Sequence, residues 1–148
     1  MTYGNVLRLF KSDSARYGLN TPPYDNYRIV NNADFYNNLN VIAFLRDIGK
    51  NFRVGTLLAK ESVAKRIEST EGISYAEFSY GILQAHDFSV LNEKYGCVLQ
   101  IGGSDQWGNI TNGCDYLRRT SKKEAYAITM PLLVTASGER FGNHSGNA

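Results

Sequence analysis

Long apolar runs are missing from this chain, and so are a strong charge of either sign, paired cysteines and repeats. No stretch approaches the length needed to span a membrane as a helix. The first ten residues, Met1 to Phe10, lack the apolar core of a secretory signal and do not form an Arg-rich transit stretch. The two cysteines, Cys97 and Cys114, show no CxxC spacing and no nearby histidine. That argues against a metal site and makes a reduced thiol the expected state of Cys97. Sixteen Lys and Arg against fourteen Asp and Glu leave a net charge of +2, too mild to argue nucleic-acid binding by charge alone. What is present is a 43% apolar composition with ten tyrosines and seven phenylalanines in 148 residues. This is enough for a packed core and suggests one domain or part of one.

Apolar spacing and capping residues place the elements. Val6 to Tyr17 is loosely helical, and Leu19 to Asp25, with Pro22-Pro23, is a loop. A short strand is expected at Tyr27 to Val30, then a helical turn capped by Asp34. Asn40 caps a stronger helix whose apolar face is Val41, Ile42, Phe44, Leu45 and Ile48, with Gly49 near its end. Leu57 to Glu68 is helical, with Glu61 and Lys65 at ion-pair spacing. Ser74 and Glu77 form a capping box that opens the longest helix, Ser74 to Lys94. Ala125 to Met130 reads as a strand that Pro131 ends, and Leu132 to Thr135 enters a turn at Ser137-Gly138. Helices alternating with short strands argue an α/β fold with a mainly parallel sheet.

The stretch that organises the chain is Cys97 to Gly113 (CVLQIGGSDQWGNITNG). It reads as a strand, a Gly102-Gly103 turn, and a helix opened by a capping Ser104 or Asp105. Taken alone, such a turn is an ordinary strand-to-helix connection. Its neighbours point further. Gln100 interrupts a strand built for burial, and Asp105 and Gln106 follow the glycines where open α/β sheets place ligands. Without a Cβ, a ligand can approach the backbone of the turn. On the preceding helix, Tyr80, Gln84 and Asp87 stand at i, i+4 and i+7 and therefore share one face. A phenol, a carboxamide and a carboxylate among apolar and aromatic neighbours suit a pocket with a few placed polar contacts better than a solvated Lys/Glu stripe. These residues by themselves describe a polar small-molecule pocket. Tyrosine fits it, and so do several other molecules.

Tyr80 to Phe88 (YGILQAHDF) followed by Leu99 to Ile110 (LQIGGSDQWGNI) closely resembles the tyrosyl-tRNA synthetases of the bacterial and organellar type. Val41 to Lys50 (VIAFLRDIGK), Ala59 to Val63 (AKESV) and Ile73 to Tyr80 (ISYAEFSY) fit the same family in the same order. The resemblance runs from about Tyr27 to Ala148. It implies a Rossmann-like class I catalytic domain that activates tyrosine with ATP, accompanied by Mg2+, and transfers it to tRNA(Tyr). It also implies no tightly bound cofactor, no membrane, and a homodimer through the region 41–75. By the same resemblance Tyr80 and Gln84 hold the α-amino group of tyrosine. Asp87 accepts its phenolic hydroxyl, Gln100 supports the amino-group network, and Gln106 lies near the carboxyl group. Gly103 and Asp105 meet the ribose of ATP. No protein nucleophile is needed, so catalysis rests on positioning and charge stabilisation, with Gln106 and Arg140 as the catalytic candidates. Rejection of phenylalanine by a carboxylate left unpaired is the standing account of tyrosyl enzymes, and its size is theirs, not a result of this sequence.

Two departures accompany the match. No His-x-Gly-His run occurs, since the only histidines are His86 and His144. The expectation is therefore a partial catalytic domain over 1–148, with the HIGH-type segment and the C-terminal anticodon and RNA-binding domains outside it. Such a chain is expected to be inactive by itself, leaving as the alternative a tyrosine-binding or dimerisation fragment without turnover. Second, Glu139 to Ala148 (ERFGNHSGNA) resembles the mobile KMSKS-type loop, with Arg140, Phe141 and Gly142 at the ATP-binding positions. Asn143, however, stands where a second Lys is usual, and an amide supplies no charge to phosphate oxygens. His86 replaces a usual Tyr and points off the Tyr80 face, which reads as structural. Arg53 to Ala59 and the closing Ser-Gly-Asn-Ala resemble fungal mitochondrial members, so the mitochondrial matrix is the expected location, with a bacterial cytoplasm as the alternative. Nothing marks an RNA-splicing role.

Overall fold

The structure, a computed structural model, describes residues 28–132 and residue 134. The chain divides into two compact units, Asn31–Leu132 and a second formed by Met1–Val30 with Leu133–Ala148. Only residues 28–30 and 134 of the second are described. The expected helix at Val6 to Tyr17, the Pro22-Pro23 loop and the turn at Ser137-Gly138 lie outside the described residues. Residues 28–30 are irregular, not the strand expected there.

The larger unit opens with a 3-10 turn, Asn32–Phe35. Its cap is Asn31, whose side chain accepts from the Ala33 N–H at 3.1 Å, and not Asp34, which lies inside the turn. Asn40 caps the next segment as expected, accepting from the Ala43 N–H at 2.9 Å. That segment changes its winding along its length: α1 (Val41–Ala43), a π-helix (Phe44–Ile48) and a 3-10 turn (Gly49–Asn51). Its expected apolar face is only partly inward. Ile48 is buried, whereas Val41 and Ile42 are each 67% exposed.

The single helix expected from Leu57 to Glu68 is two, α2 (Val54–Leu58) and α3 (Glu61–Ile67). The break is at Lys60, whose backbone is extended and whose ammonium reaches the Thr111 hydroxyl at 3.3 Å. Periodicity registers apolar spacing but not such a long-range contact, so the break was invisible to it. Glu61 and Lys65 do form the i,i+4 pair, at 2.6 Å.

α4 (Tyr75–Tyr95) is the longest described element. Ser74 caps it by accepting from the Glu77 N–H at 3.1 Å. The Glu77 carboxylate does not return to the cap. It binds Arg66 of α3 at 2.7 Å instead and ties the two helices together. Gly96, left-handed with φ 67°, ends α4, where a side-chain-bearing residue would be strained. The strand β1 (Leu99–Gly103) starts two residues later than Cys97 and runs parallel to β2 (Tyr126–Met130), with Leu99 opposite Tyr126 and Gly103 opposite Met130. Between them lies α5 (Trp107–Ser121), completing a βαβ unit.

The core forms where α4 meets α5 and the shorter helices cover them. α4 buries Gly81, Ala85, Phe88 and Asn92, a row at i, i+4, i+7 and i+11. α5 answers with Ile110, Asn112, Gly113, Tyr116 and Leu117. Glycines set the closeness of the two helices. A Cβ on Gly113 would lie 2.9 Å from the Phe88 ring, and one on Gly81 would lie 2.8 Å from the Asn112 amide nitrogen. Ile48, Phe52 and Leu57 close the core, with the Phe52 ring stacked on Tyr116 at 5.2 Å. Among the described residues no helix is long and apolar enough to cross a membrane.

Candidate active site

Tyr80, Gln84 and Asp87 all lie on the uninterrupted α4, so their spacing puts them in one row beside the buried row of the same helix. Tyr80 is exposed, and Gln84 and Asp87 are half-buried. Asp87 is the best-connected member. Its Oδ2 accepts from the Asn32 amide at 2.7 Å and its Oδ1 accepts from the Tyr36 hydroxyl at 2.7 Å. Both donors come from the Asn31-capped turn, four residues apart. Burial and the hydrogen bond to Asp87 together hold the Tyr36 phenol well above its ordinary pKa, so it is a donor at any physiological pH.

His86, beside Asp87, faces away from the row as its position predicts. Its ring meets Tyr36 edge-on at 5.4 Å and Phe44 at 6.4 Å. Burial lowers its pKa, outweighing the pull of Asp87, so the imidazole is neutral at pH 7. This is a packing role.

The strand end differs from expectation in its details. Gly102 and Gly103 are the last residues of β1, and Gly103 has an ordinary φ of −70°. A side chain there would have to displace its neighbours. A Cβ there would lie 2.7 Å from the Asp105 carboxylate and 2.7 Å from a Leu132 methyl. Neither Ser104 nor Asp105 caps the following helix. They form a 3-10 turn with Gln106, and no side chain caps either that turn or α5. The carboxylate of Asp105 lies toward Gly103, and among the described residues no side chain caps the turn.

Gln106 hydrogen-bonds the neighbouring Asp105 at 3.4 Å and accepts from the Asn109 amide at 3.3 Å. Asn109 reaches α4, its Oδ1 standing 3.2 Å from the place of a Cβ on Gly81. This connects the turn to the helix residue after Tyr80. Gln100 is half-buried on β1, and its Oε1 is buried with no hydrogen-bond partner among the described residues. No hydrogen bond joins Gln100, Asp105 or Gln106 directly to the Tyr80–Gln84–Asp87 row. Arg140, Phe141 and Gly142 lie outside the described residues.

The family model described as "tRNA synthetases class I (W and Y)" matches residues 15–148. The chain belongs to that family. Similar proteins include the tyrosine--tRNA ligase of Corynebacterium efficiens, 51% identical over 119 residues, and that of Streptococcus gordonii, 54% identical over 120 residues. These alignments cover 80% and 81% of the chain, and the chain spans 28% of the length of each ligase. Among solved structures, a C-terminally truncated mitochondrial tyrosyl-tRNA synthetase of Coccidioides posadasii is similar at a TM-score of 0.63 and 35% identity, over 75% of this chain and 35% of that one. The corresponding Aspergillus nidulans protein gives 0.62 and 34%, over 74% of this chain and 34% of that one.

Within this class I synthetase chain, sequence reasoning missed Asn32, Tyr36 and Asn109. The two donors to Asp87 precede it by 55 and 51 residues. Neither carries a spacing signal, and only the packing of the Asn32–Phe35 turn on α4 reveals them. Asn109 had a signal that went unused: Gly81 and Gly113 mark a close α4–α5 contact, and α5 polar residues facing it must find partners.

Proposed function

We propose that this chain is part of the catalytic domain of a tyrosine–tRNA ligase, which joins tyrosine to ATP as tyrosyl-adenylate and then transfers tyrosine to tRNA(Tyr). The observation that carries the reading is the state of Asp87. A carboxylate at the end of a phenol–carboxamide–carboxylate row, steadied by Asn32, accepts a phenolic hydroxyl at 2.7 Å. It is an acceptor of the chemical kind that tyrosine requires.

In this reading Tyr80 and Gln84 bind the α-amino group of tyrosine and Asp87 its hydroxyl. Gln100 adds its unpartnered Oε1 to the amino end, where an ammonium donor would relieve a buried acceptor. Gln106 lies toward the carboxyl group, and Gly103 and Asp105 toward the ribose of ATP. The substrate carboxylate attacks the α-phosphate and pyrophosphate leaves, so the protein supplies orientation and charge, the charge coming from Arg140, with Phe141 and Gly142 beside it at the ATP-binding positions. Mg2+ accompanies ATP. The described residues hold no cluster of three metal-binding side chains, and a magnesium ion bound mainly through phosphates requires none. A homodimer through 41–75 is supported by the exposure of Val41, Ile42, Val54 and Tyr75, each above 60%. The mitochondrial neighbours favour a mitochondrial setting, and the bacterial relatives favour a bacterial one.

Tyrosine-dependent ATP–pyrophosphate exchange on the purified chain, with Asp87→Ala as control, tests the reading. Exchange that the substitution abolishes supports the ligase reading and overturns the expectation that this chain is inactive by itself. Absence of exchange, with thermal stabilisation by tyrosine and not by phenylalanine, supports the tyrosine-binding half alone. Neither exchange nor stabilisation refutes it for this chain.

A further inference from the structure

The Asp87 acceptor is already engaged by a phenol of the chain itself. Tyr36 is held there by three contacts. Its backbone N–H closes the 3-10 turn on the Ala33 carbonyl at 3.1 Å, its ring meets His86 edge-on, and its hydroxyl stands 2.7 Å from Asp87 Oδ1. The same hydroxyl lies 3.1 Å from the Leu83 carbonyl, one turn earlier on α4. A phenol has one proton, so it donates to one of these acceptors at a time. With Asn32 on Oδ2, each oxygen of the carboxylate has a partner within the chain.

We propose that Tyr36 is a specificity-determining residue, a resident phenol of the chain that satisfies Asp87 and yields it to the phenol of a bound tyrosine by turning its proton to the Leu83 carbonyl. The inference rests on the tyrosine reading above. Its consequence is for discrimination. A bare carboxylate would reject phenylalanine because that ligand leaves it unpaired. Here Tyr36 keeps the partner in place, so phenylalanine binds without orphaning Asp87, while tyrosine finds Oδ1 already accepting one phenol and must either share it through the second lone pair or take it over as the Tyr36 proton turns to Leu83. The resident phenol therefore narrows the gap between the two amino acids.

The test measures the Kd values of tyrosine and phenylalanine, by calorimetry or thermal shift, on the full chain and on its Tyr36→Phe, Tyr36→Leu and Asp87→Ala variants. Tyr36→Phe removes only the hydroxyl and keeps the ring against His86. Tyr36→Leu removes both and guards against an effect of the ring. Tyrosine is expected to bind Tyr36→Phe about three- to tenfold tighter, because a competing charge-assisted hydrogen bond is gone, with phenylalanine unchanged or weaker. Tyr36→Leu should raise the tyrosine-to-phenylalanine ratio in the same direction. A ratio that stays level or falls in both variants overturns the proposal and makes Tyr36 a support of Asp87 or of the substrate hydroxyl. The tyrosine reading fails separately if Asp87→Ala binds tyrosine as well as the unaltered chain does. If no form of the chain binds tyrosine, both are overturned.

Discussion

Gly113→Ala offers the sharpest test of how α4 and α5 are held. In the interior of α5, alanine in place of glycine favours the helix by about 1 kcal/mol. The contact opposes it. The new methyl would lie 2.9 Å from the Cδ1 of Phe88 and 3.6 Å from the Ala85 backbone. Neither neighbour yields easily, because Phe88 is 1% exposed and Ala85 is fully enclosed. Overpacking of this kind costs roughly 1–3 kcal/mol, and a rigid ring backed by buried neighbours belongs in the upper part of that range. The net expectation is a loss of about 1–2 kcal/mol. Gly55→Ala is the matched control. It lies in α2 with nothing within 4 Å of its Cβ position, so it should be neutral or stabilising by a few tenths of a kcal/mol. Urea denaturation followed by circular dichroism reads both, with the Gly113→Ala midpoint expected to fall by about 0.5–1 M. If Gly113→Ala matches or exceeds Gly55→Ala in stability, the glycine-mediated closeness of α4 and α5 is not what holds the unit together.

Three shorter predictions follow from the same geometry. Burial depresses the His86 pKa, so the unfolded chain takes up the proton first as pH falls and stability should decline as pH drops below about 6.5, a slope that His86→Phe should flatten in denaturation titrations. Lys122 ends α5 at a left-handed φ of 56°, where a side chain is strained, and Lys122→Gly should raise the unfolding free energy by up to about 1 kcal/mol in urea melts. Ser74→Ala removes the α4 cap and should cost about 1 kcal/mol by the same measurement.

What could be read in advance was what short-range chemistry encodes. The α4 helix, its Ser74 cap, the Glu61–Lys65 pair and the Tyr80–Gln84–Asp87 row all depend on spacings within a few residues, and the parallel β1–β2 pairing was legible from the order strand, helix, strand. The misreadings were of two kinds. Some came from competition between local signals, as where Asn31 rather than Asp34 caps the first turn. Others came from contacts with distant partners. Glu77 leaves its capping box because Arg66 offers a charged partner across 11 residues, and Lys60 breaks a continuous apolar pattern to reach Thr111. The Asp87 triad belongs to the second kind. Asp87 could be singled out as an acceptor, but the two groups that occupy it could not.

The core and the candidate site share α4 in alternating positions. Tyr80 adjoins Gly81, Gln84 adjoins Ala85, and Asp87 adjoins Phe88, each pair joining a site residue to a buried one. Neighbouring helical residues differ by about 100° of rotation, so the orientation of the row is fixed by how the buried row seats on α5. Gly81 and Gly113 set that seating, and Asn109 carries it on to Gln106 at the strand end. An added methyl at Gly113 would push Phe88, and with it the helix segment that carries Asp87. Gly113→Ala should therefore weaken tyrosine binding under conditions where the variant is still fully folded, whereas Ser74→Ala, of similar cost in stability but distant from the row, should leave it unchanged. Equal affinity in the two folded variants would mean that the site is positioned by the Asn32–Phe35 turn alone and not by the helix packing beneath it.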